Sequence, residues 1–593
     1  MSFLNYPAPI EGPEVPYKNE TQVIPVFRGT PLTISATLIH NIKFFQSYFW
    51  RNAGFDVIHK IPNLKRYTGR SDPTVIPLGS SSHGHGQETV CRKRTSNRQH
   101  YTCADYHAWY NSGETTPVAV ITTLLKSVQR DCTPAREHST AFLESQIDLI
   151  RAAAEASSER YRQGKPLGVL DGVPVAVKDE VHVAGYKRTL GTKLDFKHGS
   201  DGTSWCVQQW QDAGAIIIGK TTMHELGLDT NNNNPNYGTP RNPHNKNYYC
   251  GGSSGGSGYA VSAGLVPIAL GADGGGSIRI PSSFCGVWGL KPSHGRVSGA
   301  PSLSLAPTVG VLGPIAGSID DLALAYRVMA TPAPASQDAI SAQFPKPMPL
   351  PADHQRAKKI GIVRDWVDRA EAPVKAVFDA ALEHYRQQGY EIIDISIPYL
   401  PEGQRAHALT IMAEIAAGVD PSQVGSLSAP NKVLVSIGMW QITANDFLAA
   451  QRLRNLLMQH VSYLFQKHPG LMIFTPTTPI PGWRIEGGET ELAYGLSDGK
   501  TSVRNMEYVW LANFTGCPAI SCPAGYTEES NVPIGVMAMG DWGSEEELIA
   551  FARDGEDLLD RVVPTLGDHS VWEDVLQQAK RYQEPGSSWH LSF

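Results

Sequence analysis

Residues 250–292 read CGGSSGGSGYAVSAGLVPIALGADGGGSIRIPSSFCGVWGLKP. Two glycine–serine turns, 251–257 and 274–277, bracket an apolar run with the texture of a helix followed by a strand. Glycine lets the chain turn through positive φ or approach another group closely, so this density of it reads as main chain shaped around a ligand. The second turn, GGGS, leads into SIRIPSSFCG and places Ser277 at a helix start among unpaired N–H groups. Such groups form an anion site. A serine hydroxyl beside one is the minimum apparatus for acyl transfer, and what the stretch lacks is a base.

Working upstream, LDGVPVAVKDE contains a short β-branched run, 173–177, that fits a strand buried on both faces and ends at Lys178. A lone lysine there is more often a snorkelling side chain. A lysine held in an apolar pocket, however, is pushed toward its neutral form and can serve a serine as base. Asp179 follows it, placed either to orient the lysine or to cap the next element. WCVQQWQDAGAIIIGKT repeats the helix-then-strand texture, and KKIGIVRDW followed by APVKAVFDAALEHYRQQGYEIIDISIP reads as strand–helix–strand. LMIFTPTTPIP, CPAISCPAG and VPIGVMAMG add later strands, and SEEELIAFARDGEDLL a late helix with acidic residues in its first turn. Alternation of this kind predicts an α/β fold around a mainly mixed or parallel sheet. No linker breaks residues 115–560, which are taken as one catalytic core between a helical extension, 1–114, and a tail, 561–593.

Outside the core the signals are weaker. Residues 1–30 read as an extended arm. Ile34, Leu38, Ile42, Phe45 and Phe49 then recur at helical spacing, and a face whose polar side is not basic is expected to pack on the core. His83, His85 and the basic run at 92–98 read as solvated loop. The 593 residues carry a net charge of −6, so nothing in the balance points to nucleic acid or an anionic membrane. No apolar run is long enough for a spanning helix, and the first residues lack the pattern of a signal peptide. The eight cysteines show no metal-ligand spacing and read as reduced thiols of a cytoplasmic protein.

The run GGSSGGSGYAVSAGLVPIALGADGGGSIRIPS, with LDGVPVAVKDE upstream and TPTTP, NFTGCPAISCP and PIGVMAMG downstream, resembles the motif of the amidase signature family. The N-terminal extension adds a likeness to its fungal acetamidase-type amidases and fungal urethanases. The resemblance implies a Ser–cis-Ser–Lys triad: Ser277 the nucleophile, Ser253 on a cis peptide bond as proton relay, and Lys178 the base. It further implies the family's fold, a mixed central sheet covered by helices on both faces, and an oxyanion hole from the N–H groups of Gly274, Gly275, Gly276 and Ser277. Ser254 is expected to bond Ser253 or Lys178, and Asp273 and Arg279 to tie the nucleophile turn to the core. No cofactor or metal is implied.

Two departures stand out: Gly274, where the family more often carries a side chain, and Cys250, where proline or a small residue is common. The loop DTNNNNPNYG, residues 229–238, replaces a pocket-shaping segment of relatives. Trp440, Trp483 and Tyr494 are candidate pocket walls, though on residue type core is the commoner place for each.

The expected activity is cofactor-independent hydrolysis of a carboxamide C–N bond through an acyl-Ser277 intermediate, with a small amide or carbamate and water as partners. Carbamates or esters suit the same chemistry. A component of an amidotransferase that works on charged tRNA is the alternative of another class, disfavoured by the acidic balance; a scaffold without activity is disfavoured by the presence of all three triad residues. No nucleic acid and no membrane span are expected, and a homodimer is compatible with the sequence.

Overall fold

The computed structural model describes residues 2–19, 24–78, 92–93, 100–130, 132–133, 135–194, 202–560 and 571–581. His83, His85 and most of the basic run lie outside these residues, as does most of the expected C-terminal tail.

Eleven strands make the central sheet. In chain order they are β1 (Phe142–Glu144), β2 (Pro174–Lys178), β3 (Ile216–Thr221), β4 (Ile268–Asp273), β5 (Trp288–Lys291), β6 (Val311–Ala316), β7 (Lys359–Ile362), β8 (Glu391–Asp394), β9 (Leu471–Pro476), β10 (Ala519–Tyr526) and β11 (Pro533–Met539). Across the sheet they run β8-β7-β9-β11-β10-β5-β6-β4-β2-β3-β1. β2 is parallel to both neighbours, with Val175 opposite Ile217 on one side and Ile268 on the other. β7 is parallel to β8 and β9, and the remaining pairings are antiparallel. The sheet is therefore mixed, one of the two arrangements the alternating texture allows and the one the family resemblance implies.

Helices flank it. Val175, Val177, Ile217, Ile268 and Leu270 pack with Ile121, Leu124, Trp210 and Tyr259 from helices. Toward the other edge, Trp288, Ile360, Ile362, Phe474 and Val536 pack with Tyr326, Phe378, Tyr385 and Phe551. Every residue of β2, β3 and β4 is buried, which is why these strands read as continuous apolar runs rather than alternating ones. At the far end of the chain, Val575, Leu576 and Ala579 of the helix Val575–Arg581 are buried in the same cluster as Ile121 and Leu124.

The amphipathic N-terminal segment differs from expectation in two ways. It is two helices, α1 (Gly29–Asn41) and α2 (Lys43–Asn52), separated at Ile42, whose backbone is extended. Its inner face is Leu32, Ala36 and Ile39, which pack against Val433 and Ile437 of the helix Ala429–Gln441. The row expected to be buried lies largely outside: Ile34 is 67% exposed, Leu38 44% and Ile42 39%. Phe45 and Phe49 are half-buried against the inner cluster. Periodicity identifies residues that share a helix face, and the partner helix decides which face is covered.

No single helix among the described residues is long and apolar enough to cross a membrane. The pair Ala429–Gln441 and Ala444–Lys467 reaches that length only jointly, across a 96° bend. Both helices contribute buried side chains, among them Val433, Val435, Leu453 and Leu457.

Candidate active site

The parallel pairing of β2 and β4 decides where the chemistry sits. Lys178 is the last residue of β2 and Asp273 the last of β4, so the turn at 274–277 leaves the sheet beside the lysine. Carboxyl ends of neighbouring parallel strands are where open α/β sheets bind ligands. The first glycine turn joins them from α3 (Gly255–Ser262), with the Gly252–Ser253 peptide bond cis and Ser254 N–H donating to Ser277 O at 3.2 Å. The close approach needs glycine: a Cβ on Gly252 would lie 2.7 Å from Asn232 N, and one on Gly255 2.5 Å from Asn232 Cγ.

Lys178 Nζ lies 2.9 Å from Ser253 Oγ, 3.3 Å from Ala272 O and 3.2 Å from Glu180 Oε2. Burial pushes its amine below the ordinary lysine range, while Glu180 pulls the other way. Lys178, Ser253 and Ser277 share the wall of one cleft of about 740 Å³. Ser254 departs from expectation. Its hydroxyl donates to Ala272 O at 3.1 Å, the same carbonyl that Lys178 reaches, and meets neither Ser253 Oγ nor Lys178 directly. Asp179 accepts from Thr189 N and Oγ1 and from Gly191 N, and faces Lys220 Nζ at 3.5 Å; it organises the following loop rather than orienting Lys178.

The 274–277 turn hangs on Asp273. Its carboxylate accepts from Gly276 N at 2.7 Å and Ile278 N at 3.0 Å, and pairs with Arg279 at 2.9 Å, both side chains being fully buried. Burial would raise this carboxyl, but Arg279 and the backbone donors hold it well below the usual range. Because Gly276 spends its N–H on Asp273, it drops out of the expected oxyanion set. The N–H groups of Gly274, Gly275 and Ser277 have no protein acceptor among the described residues. Gly276 also has φ +108°, and a Cβ there would sit 2.5 Å from Val509 Cγ2, so both backbone and space require glycine.

Sequence reasoning missed two supports. His407, from the helix Leu400–Ala417, donates from Nε2 to Gly274 O at 2.7 Å. Burial pushes its pKa down to about 4, so the ring is neutral and its Nδ1, with no protein partner, is the unprotonated nitrogen. Asn513 donates to Asp273 O at 2.8 Å and accepts from Arg279 at 2.6 Å. It stands in NFTGCP, a motif already legible; nothing near His407 marked it.

A second cavity, of about 1200 Å³, meets the first at Ser277, Gly227 and Ile411. Its walls are apolar: Ile39 and Phe49 from α1 and α2, Met412, Val433, Leu434, Ile437 and Leu496. Asp229 and Thr230 of the asparagine-rich loop line it near Ser277, with burial raising the Asp229 carboxyl to about 6. The three aromatic wall candidates fall elsewhere: Trp483 is core, and Trp440 and Tyr494 are exposed. Cys250 is buried against Pro240 O and lines neither cavity. The grouping with metal-ligating geometry among the described residues, Glu137, His138 and Glu573, lines neither cavity, and His138 is already bonded to Tyr259 and Glu573.

A family model described as Amidase matches residues 123–549. A fatty acid amide hydrolase of Medicago truncatula is 34% identical over 464 residues, covering 77% of this chain and 76% of that protein. A glutamyl-tRNA(Gln) amidotransferase subunit of Deinococcus deserti is 32% identical over 475 residues, 74% of this chain and 93% of that one. A solved structure described as an amidase superposes with a TM-score of 0.66 at 25% identity, over 78% of this chain and all of its own. The first two relatives are a plant and a bacterial protein, and none of the three carries the name of the fungal acetamidase-type amidases and urethanases expected from sequence. The chain belongs to the amidase signature family and is an amidase, a hydrolase of amide bonds.

Proposed function

We propose that this amidase hydrolyses amides of long, apolar acyl chains, with Ser277 as nucleophile, Ser253 as proton relay and Lys178 as base. The observation that carries the substrate class is the apolar cavity that ends at Ser277. A chain seated there presents its carbonyl at the turn, and the cleft lined by Lys178, with polar and apolar walls in equal measure, is left for the amine. The plant relatives' name, fatty acid amide hydrolase, supports the same reading.

Neutral Lys178 accepts a proton through Ser253 as Ser277 Oγ attacks the carbonyl carbon. The oxyanion gathers the N–H groups of Gly274, Gly275 and Ser277, each such donor typically worth about 2.7–4 kcal/mol in the transition state. The proton returns along the same path to the leaving nitrogen as the C–N bond breaks. Water then repeats the sequence on acyl-Ser277 and releases the acid. Esters and carbamates offer the same carbonyl.

Product release from amides of increasing chain length, with ethyl carbamate and an aryl ester alongside, tests the proposal. Rates that climb with chain length and vanish in Ser277→Ala support it; preference for acetamide or the carbamate refutes the substrate class. Full activity of the isolated chain on such amides also removes the tRNA-dependent alternative that the amidotransferase relatives raise.

A further inference from the structure

The base has a neighbour that the triad does not use. Three atoms surround Lys178 Nζ: Ser253 Oγ at 2.9 Å, Ala272 O at 3.3 Å and Glu180 Oε2 at 3.2 Å. A carbonyl and a carboxylate only accept, so two N–H bonds point at Ala272 and Glu180 in either protonation state. The third position faces a hydroxyl, which both donates and accepts. A neutral amine, with two N–H bonds and one lone pair, fits this set by taking the Ser253 hydroxyl proton. An ammonium fits it by donating all three. The backbone carbonyl and the relay serine are neutral, so the Glu180 carboxylate is the contact whose charge distinguishes the two forms.

The other charged groups around the lysine are already committed. Asp179 is held by Thr189, Gly191 and Lys220, and Asp273 by Arg279 and the nucleophile turn. His224, fully buried, is pushed to about 4 and stays neutral above that pH. Arg188 donates from Nε to the Glu180 backbone carbonyl. Lys178 is the cation within ion-pair distance of the Glu180 carboxylate among the described residues. Glu180 also lines the catalytic cleft, with its side chain 14% exposed against 1% for Lys178. A purely structural ion pair has no need of that position.

We propose that Glu180 is a positioning residue that governs the proton on Lys178. Its carboxylate holds the ammonium formed when Ser277 attacks, until that proton passes back through Ser253 to the leaving nitrogen, and so it sets the pH at which the base becomes competent. This rests on Lys178 being the base, as proposed above. Removal of the charge takes away the largest opposition to burial and leaves only the smaller pulls of Asp273 and Asp179, so Lys178 loses its proton more readily and stays neutral to lower pH. An opposite charge within about 4–6 Å moves a pKa by roughly one to three units, which sets the size of the effect.

The test is the pH profile of kcat/KM for wild type, Glu180→Gln and Glu180→Asp, with Lys178→Ala and Ser277→Ala as controls. The rate at which a fluorophosphonate probe labels Ser277 is followed over the same pH range, and the unfolding midpoint of each variant is recorded. The expected result is an acid limb displaced to lower pH by about one unit or more in Glu180→Gln, with Glu180→Asp between it and wild type. Labelling should shift in parallel. A limb that stays in place or moves to higher pH, in a variant that folds, overturns the role of Glu180 while leaving the triad intact. If Glu180→Gln fails to fold, Glu180→Asp decides: a wild-type limb overturns the role. Wild-type turnover in Lys178→Ala or Ser277→Ala would instead overturn the triad on which the inference stands.

Discussion

On the proposed reading, Leu434→Trp should shift the enzyme's preference from long acyl chains to short ones. Leu434 is half-buried and lines the apolar cavity together with Met412, Val433 and Ile437, so an indole there fills substrate space more than protein core. Each methylene transferred from water to an apolar wall is worth about 0.8 kcal/mol, close to a fourfold change in kcat/KM. Four methylenes denied their place therefore cost about 3 kcal/mol, or roughly two hundredfold. The assay is kcat/KM across a series of linear acyl amides differing by two carbons, for wild type and variant. The wild type should climb with each pair of carbons until the cavity is full. The variant should match it for the shortest members and flatten once the chain reaches the indole. Equal slopes in the two proteins would show that the acyl chain lies elsewhere and would refute the assignment of this cavity.

Three further outcomes follow from the nucleophile turn. Gly276→Ala should abolish soluble expression or activity, because the added methyl meets Val509 at 2.5 Å on a backbone with φ +108°, whereas Gly274→Ala, facing the movable Ile411 Cδ1 at 3.0 Å, should fold and retain turnover; expression and kcat separate the two. Arg279→Met leaves the buried Asp273 carboxylate without its cation and should cost about 3–5 kcal/mol in a denaturant titration. Asp273 is held below its unfolded value, so the stability it supplies is present above about pH 4 and is lost as pH falls further. His407→Ala should lower kcat about tenfold or more with KM little changed, by releasing the Gly274 carbonyl and the donors beside it; because the ring is neutral above about pH 4, it should add no limb of its own to a profile taken from pH 5 to 8.

How much of this was legible depended on sequence distance. The buried strand ending in Lys178 and the glycine turn carrying Ser277 stand within short stretches whose residue types limit what they can do, whereas the tie of Asp273 and Arg279 to the core was expected from the family resemblance. The α/β class was legible from residue types too, since runs such as Ile216–Thr221 and Ile268–Asp273 read as buried strands between helices, whereas the choice of a mixed over a parallel sheet came with the family resemblance. His407 was not, because a hydrogen bond across 133 positions leaves no local pattern. Ser254 went astray differently: adjacency suggested contact with the triad, but the turn of the chain aims its hydroxyl at the edge of β4. The Gly276 N–H was counted as an oxyanion donor although Asp273, three residues earlier, takes it. The outward face of α1 shows the limit of periodicity, since Val433 and Ile437, which cover Leu32, Ala36 and Ile39, lie nearly four hundred residues downstream.

The central claim is that Ser277 is acylated during turnover. Its most direct test is intact-protein mass spectrometry of the enzyme quenched in acid during hydrolysis of a long-chain aryl ester, followed by peptide mapping. The predicted result is an added mass equal to the acyl group, confined to the peptide containing Ser277, absent from Ser277→Ala and discharged by hydroxylamine. An adduct on another residue, or turnover by Ser277→Ala at the wild-type rate, would contradict it.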